Sequence, residues 1–208
     1  LSDYDTSGKP AGLLKDVISP TLVSYMDTVL PEGKDLRTVN PNLLTENTTG
    51  DLAMTQKSDV YLTFVKQGSL WYRNSIAFYT YPTATPPASP KDVSVITYAF
   101  PNAGLNTPLR AGDKVKLGTF DPGTSIGFVL MQDSWSSSAK KNNNEAVHFC
   151  YNDVLNPEVD PKLKKHVVLI NYPQEKKVLI GFEDLDRTLP ICDHDFNDMV
   201  VYVTIEPK

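Results

Sequence analysis

The chain has 208 residues, 40% of them apolar and 22% charged, with 16 prolines against 11 glycines; that is enough apolar side chain for a buried core and excludes a wholly disordered chain. No apolar run approaches the ~18 residues of a membrane helix, and 20 basic residues without a basic stripe argue against a nucleic-acid partner. Charge is concentrated in one place: six carboxylates and one base lie between Glu183 and Asp198, and their net of −5 equals that of the whole chain.

In chain order, Leu1 stands without Met and without a charged-then-apolar leader, as in a mature or trimmed chain. Asp3-Tyr4-Asp5-Thr6-Ser7-Gly8 has the opening spacing of a calcium loop, but its twelfth position is Leu14 and it offers only two carboxylates. A frayed terminus is expected there. Leu22, Val23, Met26, Val29 and Leu30 fall on one helical face, with Ser19 as N-cap, Pro20 in the first turn, and Pro31 and Gly33 as the stop. Asn40-Pro41-Asn42-Leu43-Leu44 predicts a short further turn, and 46–51 a loop.

From Asp59 onward the apolar period is two. Strands are predicted over 60–66, 75–81, 93–100, 114–119, 125–132, 146–151, 166–172, 177–182 and 199–205, rich in Val, Ile, Tyr and Phe and punctuated by Pro, Gly and Asn. Two stretches, 82–91 and 133–144, read as long loops. Nine such runs without helical patterns between them predict a mainly β fold. The expected architecture is an antiparallel β-sandwich, jelly-roll-like, over 55–208, with 1–54 as a helical and extended segment packed on it.

Cys150 and Cys192 are too few for a disulfide scaffold or a four-ligand zinc site. In an exported chain they could pair; two separate buried thiols are the alternative. His148 and Cys150 share a strand face by spacing alone, and nothing in the sequence orients a base beside a thiol, so no catalytic residue is assigned. Glycoside hydrolysis needs two separated carboxylates in different environments, whereas here six crowd one segment. The chain is not expected to be an enzyme.

The densest signal is Asp193-His194-Asp195-Phe196-Asn197-Asp198, running directly into Met199-Val200-Val201-Tyr202-Val203. Asp, Asp and Asn at alternate positions offer hard oxygen ligands on one side of the backbone, which suits Ca²⁺ with its 6–8 oxygens. Phe196 is expected to turn the other way and anchor the loop. Glu183, Asp184 and Asp186, leaving the preceding strand, are expected to bring a second group of carboxylates to the same ion. This is not an EF-hand, because Asp198 stands where that loop needs Gly and Thr204 where it needs Glu. Softer metals fit worse, since His194 is the one imidazole in the cluster, and Mg²⁺ demands stricter geometry. The bland alternative is a solvated acidic turn with Asx caps.

Gly181-Phe182-Glu183-Asp184 followed by Cys192-Asp193-His194-Asp195-Phe196-Asn197-Asp198 resembles the ending of the LruC-type domains of Gram-negative surface lipoproteins. These overlap a wider domain of unknown function that is also seen in large secreted adhesins. Tyr72-Arg73-Asn74 and Ala99-Phe100-Pro101-Asn102 resemble the same family, and the likeness runs over roughly 55–206. One departure is Ser69-Leu70-Trp71, where relatives commonly carry a small residue and Gly. The resemblance implies an exported or surface-attached β module with a Ca²⁺ site.

Trp71, Tyr72 and Trp135 lie at predicted loop edges, where exposed aromatics could stack on sugar rings; core packing is the commoner use of such residues. The expected function is therefore non-catalytic: a calcium-stabilised module outside the cell or on its outer membrane, used in adhesion or ligand binding. One Ca²⁺ is expected on Glu183, Asp184, Asp186, Asp193, Asp195, Asn197 and Asp198. The alternative is a carbohydrate-binding module on Trp71, Tyr72 and Trp135. The expected partner is a surface, matrix or glycan component, with no nucleic acid, no transmembrane segment, and an envelope attachment through a lipid anchor ahead of Leu1.

Overall fold

The computed structural model describes residues 3–45, 51–68 and 71–208. The loop expected at 46–51 lies outside these residues except for Asp51, as do Ser69 and Leu70 of the divergent segment. In chain order the elements are β1 (Leu14–Lys15), α1 (Pro20–Val29), α2 (Leu36–Val39), α3 (Asn42–Thr45), β2 (Leu52–Ala53), β3 (Ser58–Gln67), β4 (Ser75–Pro82), β5 (Thr97–Phe100) and β6 (Asp113–Phe120). They continue with β7 (Thr124–Met131), β8 (Trp135–Ser136), β9 (Lys141–Asn142), β10 (His148–Cys150), β11 (Val167–Tyr172), β12 (Lys177–Phe182) and β13 (Met199–Pro207).

Alternation places one face of each long strand toward a partner sheet, and this produces two antiparallel layers. The first has the order β1-β6-β3-β13-β12-β11; the second has β10-β7-β4-β5, with β2 also on β7. Val60, Leu62 and Phe64 of β3 and Val201 and Val203 of β13 meet Ile76 and Phe78 of β4 and Ile126, Phe128 and Leu130 of β7 in one core. The predicted sandwich is observed. The β12–β13 register runs from Lys177 opposite Thr204 to Phe182 opposite Met199. Glu183 therefore leaves β12 level with the point where Asp198 enters β13.

The outer face of the first sheet is also apolar. Val65, Val168, Ile170, Leu179, Val200 and Tyr202 are covered by Leu22, Met26 and Leu30 of the α1 region and by Leu36. The Leu22 N–H donates to Ser19 Oγ at 3.0 Å, with Pro20 in the first turn as the sequence predicts. The N-terminal segment is woven in further, since β1 pairs with β6 and β2 with β7. The expected frayed terminus is instead a tight turn: Asp5 Oδ1 accepts N–H bonds from Ser7 at 2.8 Å and Lys9 at 3.1 Å. Gly8 there lies so close to Asn102 and Trp135 that a Cβ would come within 2.6 Å of Asn102 Cβ. The loop expected at 133–144 contains the β8–β9 hairpin, tied down by Asn142 Nδ2, which donates to Ser75 Oγ at 2.6 Å.

Candidate metal centre

The acidic loop begins where β12 ends. His166 fixes that point: its backbone carbonyl accepts from Glu183 N–H at 2.9 Å, and its ring holds the Glu183 carbonyl from Nδ1 at 3.1 Å. The same ring stacks on Phe149 at 3.9 Å and reaches buried Glu158 from Nε2 at 2.7 Å. Gly181 lets the return strand come close, because a Cβ there would lie 2.4 Å from Phe196 O and 2.6 Å from Leu30 Cδ1.

On the return, His194 and Phe196 both adopt a left-handed φ of 59°, a conformation that costs a non-glycine residue roughly 1–2 kcal/mol. Phe196 is fully buried, as expected, and anchors the turn. Asp195 is fixed from both sides: its Oδ1 accepts from Asn197 N–H at 2.9 Å and its Oδ2 from Gly33 N–H at 2.8 Å. Leu36 N–H donates to His194 O at 3.0 Å and Asn197 Nδ2 to Leu30 O at 3.3 Å. The segment after α1 thus helps to build the site.

Five carboxylates meet here in two groups. Glu183, Asp193 and Asp195 form one and Glu183, Asp184 and Asp198 the other, each with ligand oxygens within 4.8 Å of one another. Glu183 belongs to both and is completely buried, Asp184 and Asp195 are buried, and Asp193 is exposed. Glu183 Oε1 accepts from Leu185 N–H at 3.3 Å, whereas its buried Oε2 has no hydrogen-bond partner. Among the described residues, no Lys or Arg forms an ion pair with Glu183, Asp193, Asp195 or Asp198. The nearest base in sequence, buried Arg187, is within electrostatic reach of Glu183 but spends its donors elsewhere; its Nε donates to His194 Nδ1 at 3.2 Å and its Nη1 to Lys165 O at 2.8 Å, and its guanidinium lies over the Phe196 ring.

The electrostatic consequence is that protons are retained. Burial, joined by the neighbouring carboxylates, holds the Glu183 and Asp198 carboxyls well above the usual range. Burial pushes Asp195 up to about 6 despite its two N–H donors. Without a cation, burial and mutual repulsion favour the protonated carboxyls; a bound cation would favour the ionised ones.

Of the predicted ligands, Glu183, Asp184, Asp193, Asp195 and Asp198 are brought together. Asp186 is not: its Oδ1 accepts from the Thr188 N–H at 2.8 Å and hydroxyl at 2.7 Å, in a separate turn facing out of the cluster. Asn197 contributes through its backbone to Asp195, and its side-chain amide is directed to Leu30. His194 is no ligand candidate, because Nδ1 faces Arg187 and also Cys192 Sγ at 3.2 Å. That thiol–imidazole contact is absent from the sequence reading, yet burial pushes the Cys192 thiol far up and the imidazole down to about 4, so neither is activated. Both cysteines are free and buried.

The aromatic trio does not form one platform. Trp71 is 75% exposed, but Trp135 is 3% exposed and packs edge-on to Tyr4 at 5.7 Å between ring centres. Conversely, two polar residues escaped the sequence reading as supports. Buried Asn74 donates from Nδ2 to Asp184 Oδ2 at 2.6 Å and accepts from Asp133 N–H at 3.0 Å, and Gln132 Nε2 donates to Asp184 O at 2.6 Å. The one signal the sequence offers for Asn74 is its place in Tyr72-Arg73-Asn74, a stretch that resembles the same family.

Residues 120–206 match the family model of a domain of unknown function (DUF4114), a stretch that runs from the end of β6 through β13 and includes both acidic groups. No curated protein matches the chain, and no solved structure does.

Proposed function

We propose that the loop between β12 and β13 binds Ca²⁺, and that the chain is a non-catalytic, calcium-stabilised sandwich module of the LruC type. The carrying observation is Glu183: a fully buried side chain whose Oε2 has no donor, set among four further carboxylates. A buried charge without a partner is costly, and a hard divalent cation is the partner this all-oxygen set suits. Glu183, Asp184, Asp193, Asp195 and Asp198 would hold it. The bound cation would supply the positive charge that lets these carboxylates ionise together. Gly33 and Asn74 orient the ligands from behind, in the way outer-shell groups support metal sites. Exposed Asp193 supplies the route in.

The proposed role follows from what such an ion would join. Asp198 opens the strand at the middle of the first sheet, Asp195 is held by the α1 side, and Asp184 by the second sheet. Extracellular modules work with calcium affinities of about 10⁻⁴–10⁻³ M, so the site would fill outside the cell and empty inside it. Together with the motif resemblance, this favours an exported module, lipid-anchored or part of a larger surface protein, that binds a surface or matrix component in adhesion. Exposed Trp71 is available to such a partner. The test of the metal reading is calorimetric titration of chelator-stripped protein with CaCl₂. Saturable binding is expected, and it is lost in Glu183→Gln; absence of binding by the folded wild type would overturn the proposal.

A further inference from the structure

We infer that the site takes two divalent cations bridged by Glu183, rather than one; this rests on the calcium reading above and goes beyond it. Two oxygens bound to one Ca²⁺ can be no farther apart than about 4.6–5.2 Å, twice the metal–oxygen distance. The ligand atoms meet that limit in two separate groups, Glu183 with Asp193 and Asp195, and Glu183 with Asp184 and Asp198. The groups share no member but Glu183, the residue with which the loop leaves β12.

Charge leads the same way. Glu183, Asp193, Asp195 and Asp198 carry −4 when ionised and make no ion pair among the described residues, so one Ca²⁺ would leave −2 on these four, with Arg187 the one buried base in electrostatic reach of Glu183. A second cation would balance the charge of these four carboxylates. Glu183 is also built to serve both. It is completely buried, its Oε2 receives no N–H or hydroxyl donor, and Oε1 takes the long 3.3 Å N–H bond from Leu185, while the carboxyl lies against Asp198 and the Cys192 thiol; a carboxylate with so few donors has lone pairs to offer a cation. The supports are separate as well. The Asp195 group is backed by Gly33 from the α1 side, and the Asp184 group by Asn74 from the second sheet. One cation therefore ties the N-terminal segment to the loop, and the other ties the two sheets. Because both draw on one carboxylate, each orders the ligand the other needs.

The test is the number of Ca²⁺ bound per chain, measured by equilibrium dialysis of chelator-stripped protein against CaCl₂, with circular dichroism verifying the fold of each variant. Wild type is expected to hold two ions, and Asp193→Asn and Asp198→Asn one each, since each replaces a charged ligand of a single group by a neutral and weaker one. Asp193 is exposed, so its variant keeps the test decisive even where Asp198→Asn fails to fold. A wild-type count of one overturns the bridged pair and leaves the calcium reading standing. A count of zero overturns both, and an Asp193→Asn protein that still holds two overturns the assignment of groups.

Discussion

Glu183 shows how far a single side chain can shape a module of this size. A carboxylate surrounded by carboxylates is destabilising unless it is neutralised, so Glu183→Gln removes a ligand and a repulsion together. The expected outcome is a protein whose melting temperature in chelator is no lower than wild type, and whose response to calcium is gone; thermal melts in EDTA and in CaCl₂ measure both. The pH dependence has a defined sign. In metal-free protein Glu183, Asp195 and Asp198 bind protons more tightly folded than unfolded. As pH rises from about 4 through 6, the range set by Asp195, the unfolded chain loses protons first and stability falls. Saturating calcium keeps these carboxylates ionised in the folded state and removes that fall. Urea midpoints between pH 4.5 and 8, with and without calcium, should diverge as pH rises; parallel curves would contradict the coupling. Asp193, Asp195 and Asp198, which the structure brings near Glu183, stand in a short-range alternation that is visible in the sequence. Sequence reading misplaced Asp186 because a run of carboxylates does not reveal that Thr188, two positions on, captures one of them.

At the scale of elements, two close approaches hold the loop against its surroundings. Gly181 admits Phe196 O and the Leu30 side chain where a methyl group has no room, so Gly181→Ala is expected to cost about 1–3 kcal/mol by overpacking, read as a lowered urea midpoint. The segment after α1 is bound through Gly33 N–H on Asp195 and Leu36 N–H on His194 O. Calcium removal should therefore speed hydrogen exchange at Gly33 and Leu36 far more than at Leu22, whose amide is capped by Ser19; equal acceleration at all three would sever the loop from the helix. All nine predicted strands are found, because period-two burial is a local property. The two-residue strands β1, β2, β8 and β9 have no period to read and exist through their partners. The predicted 93–100 strand begins only at Thr97, since Pro90 to Asp92 forms a 3₁₀ turn and the chain joins β4 only beyond it. Asn74 could not be found by any local rule: it acts on Asp184, 110 positions away.

For the whole molecule, the formal charge of −5 is a property of one loop that lies at the junction of both sheets and the helical segment. Cation binding is therefore expected to stabilise the sandwich globally rather than at one edge. At free calcium 100 times the dissociation constant a single site contributes about 2.7 kcal/mol, a sizeable share of the ~5–15 kcal/mol typical of a domain and about 5–10 °C in melting temperature for a chain of this length. Sheet order and the double use of Glu183 were invisible in the sequence, because both depend on the long-range register that sets the end of β12 beside the start of β13. The most direct measurement is differential scanning calorimetry of the intact chain in EDTA and in millimolar CaCl₂. The melting temperature should rise by several degrees with calcium in wild type and stay fixed in Asp195→Ala; superimposable wild-type transitions in the two buffers would contradict a metal at this site.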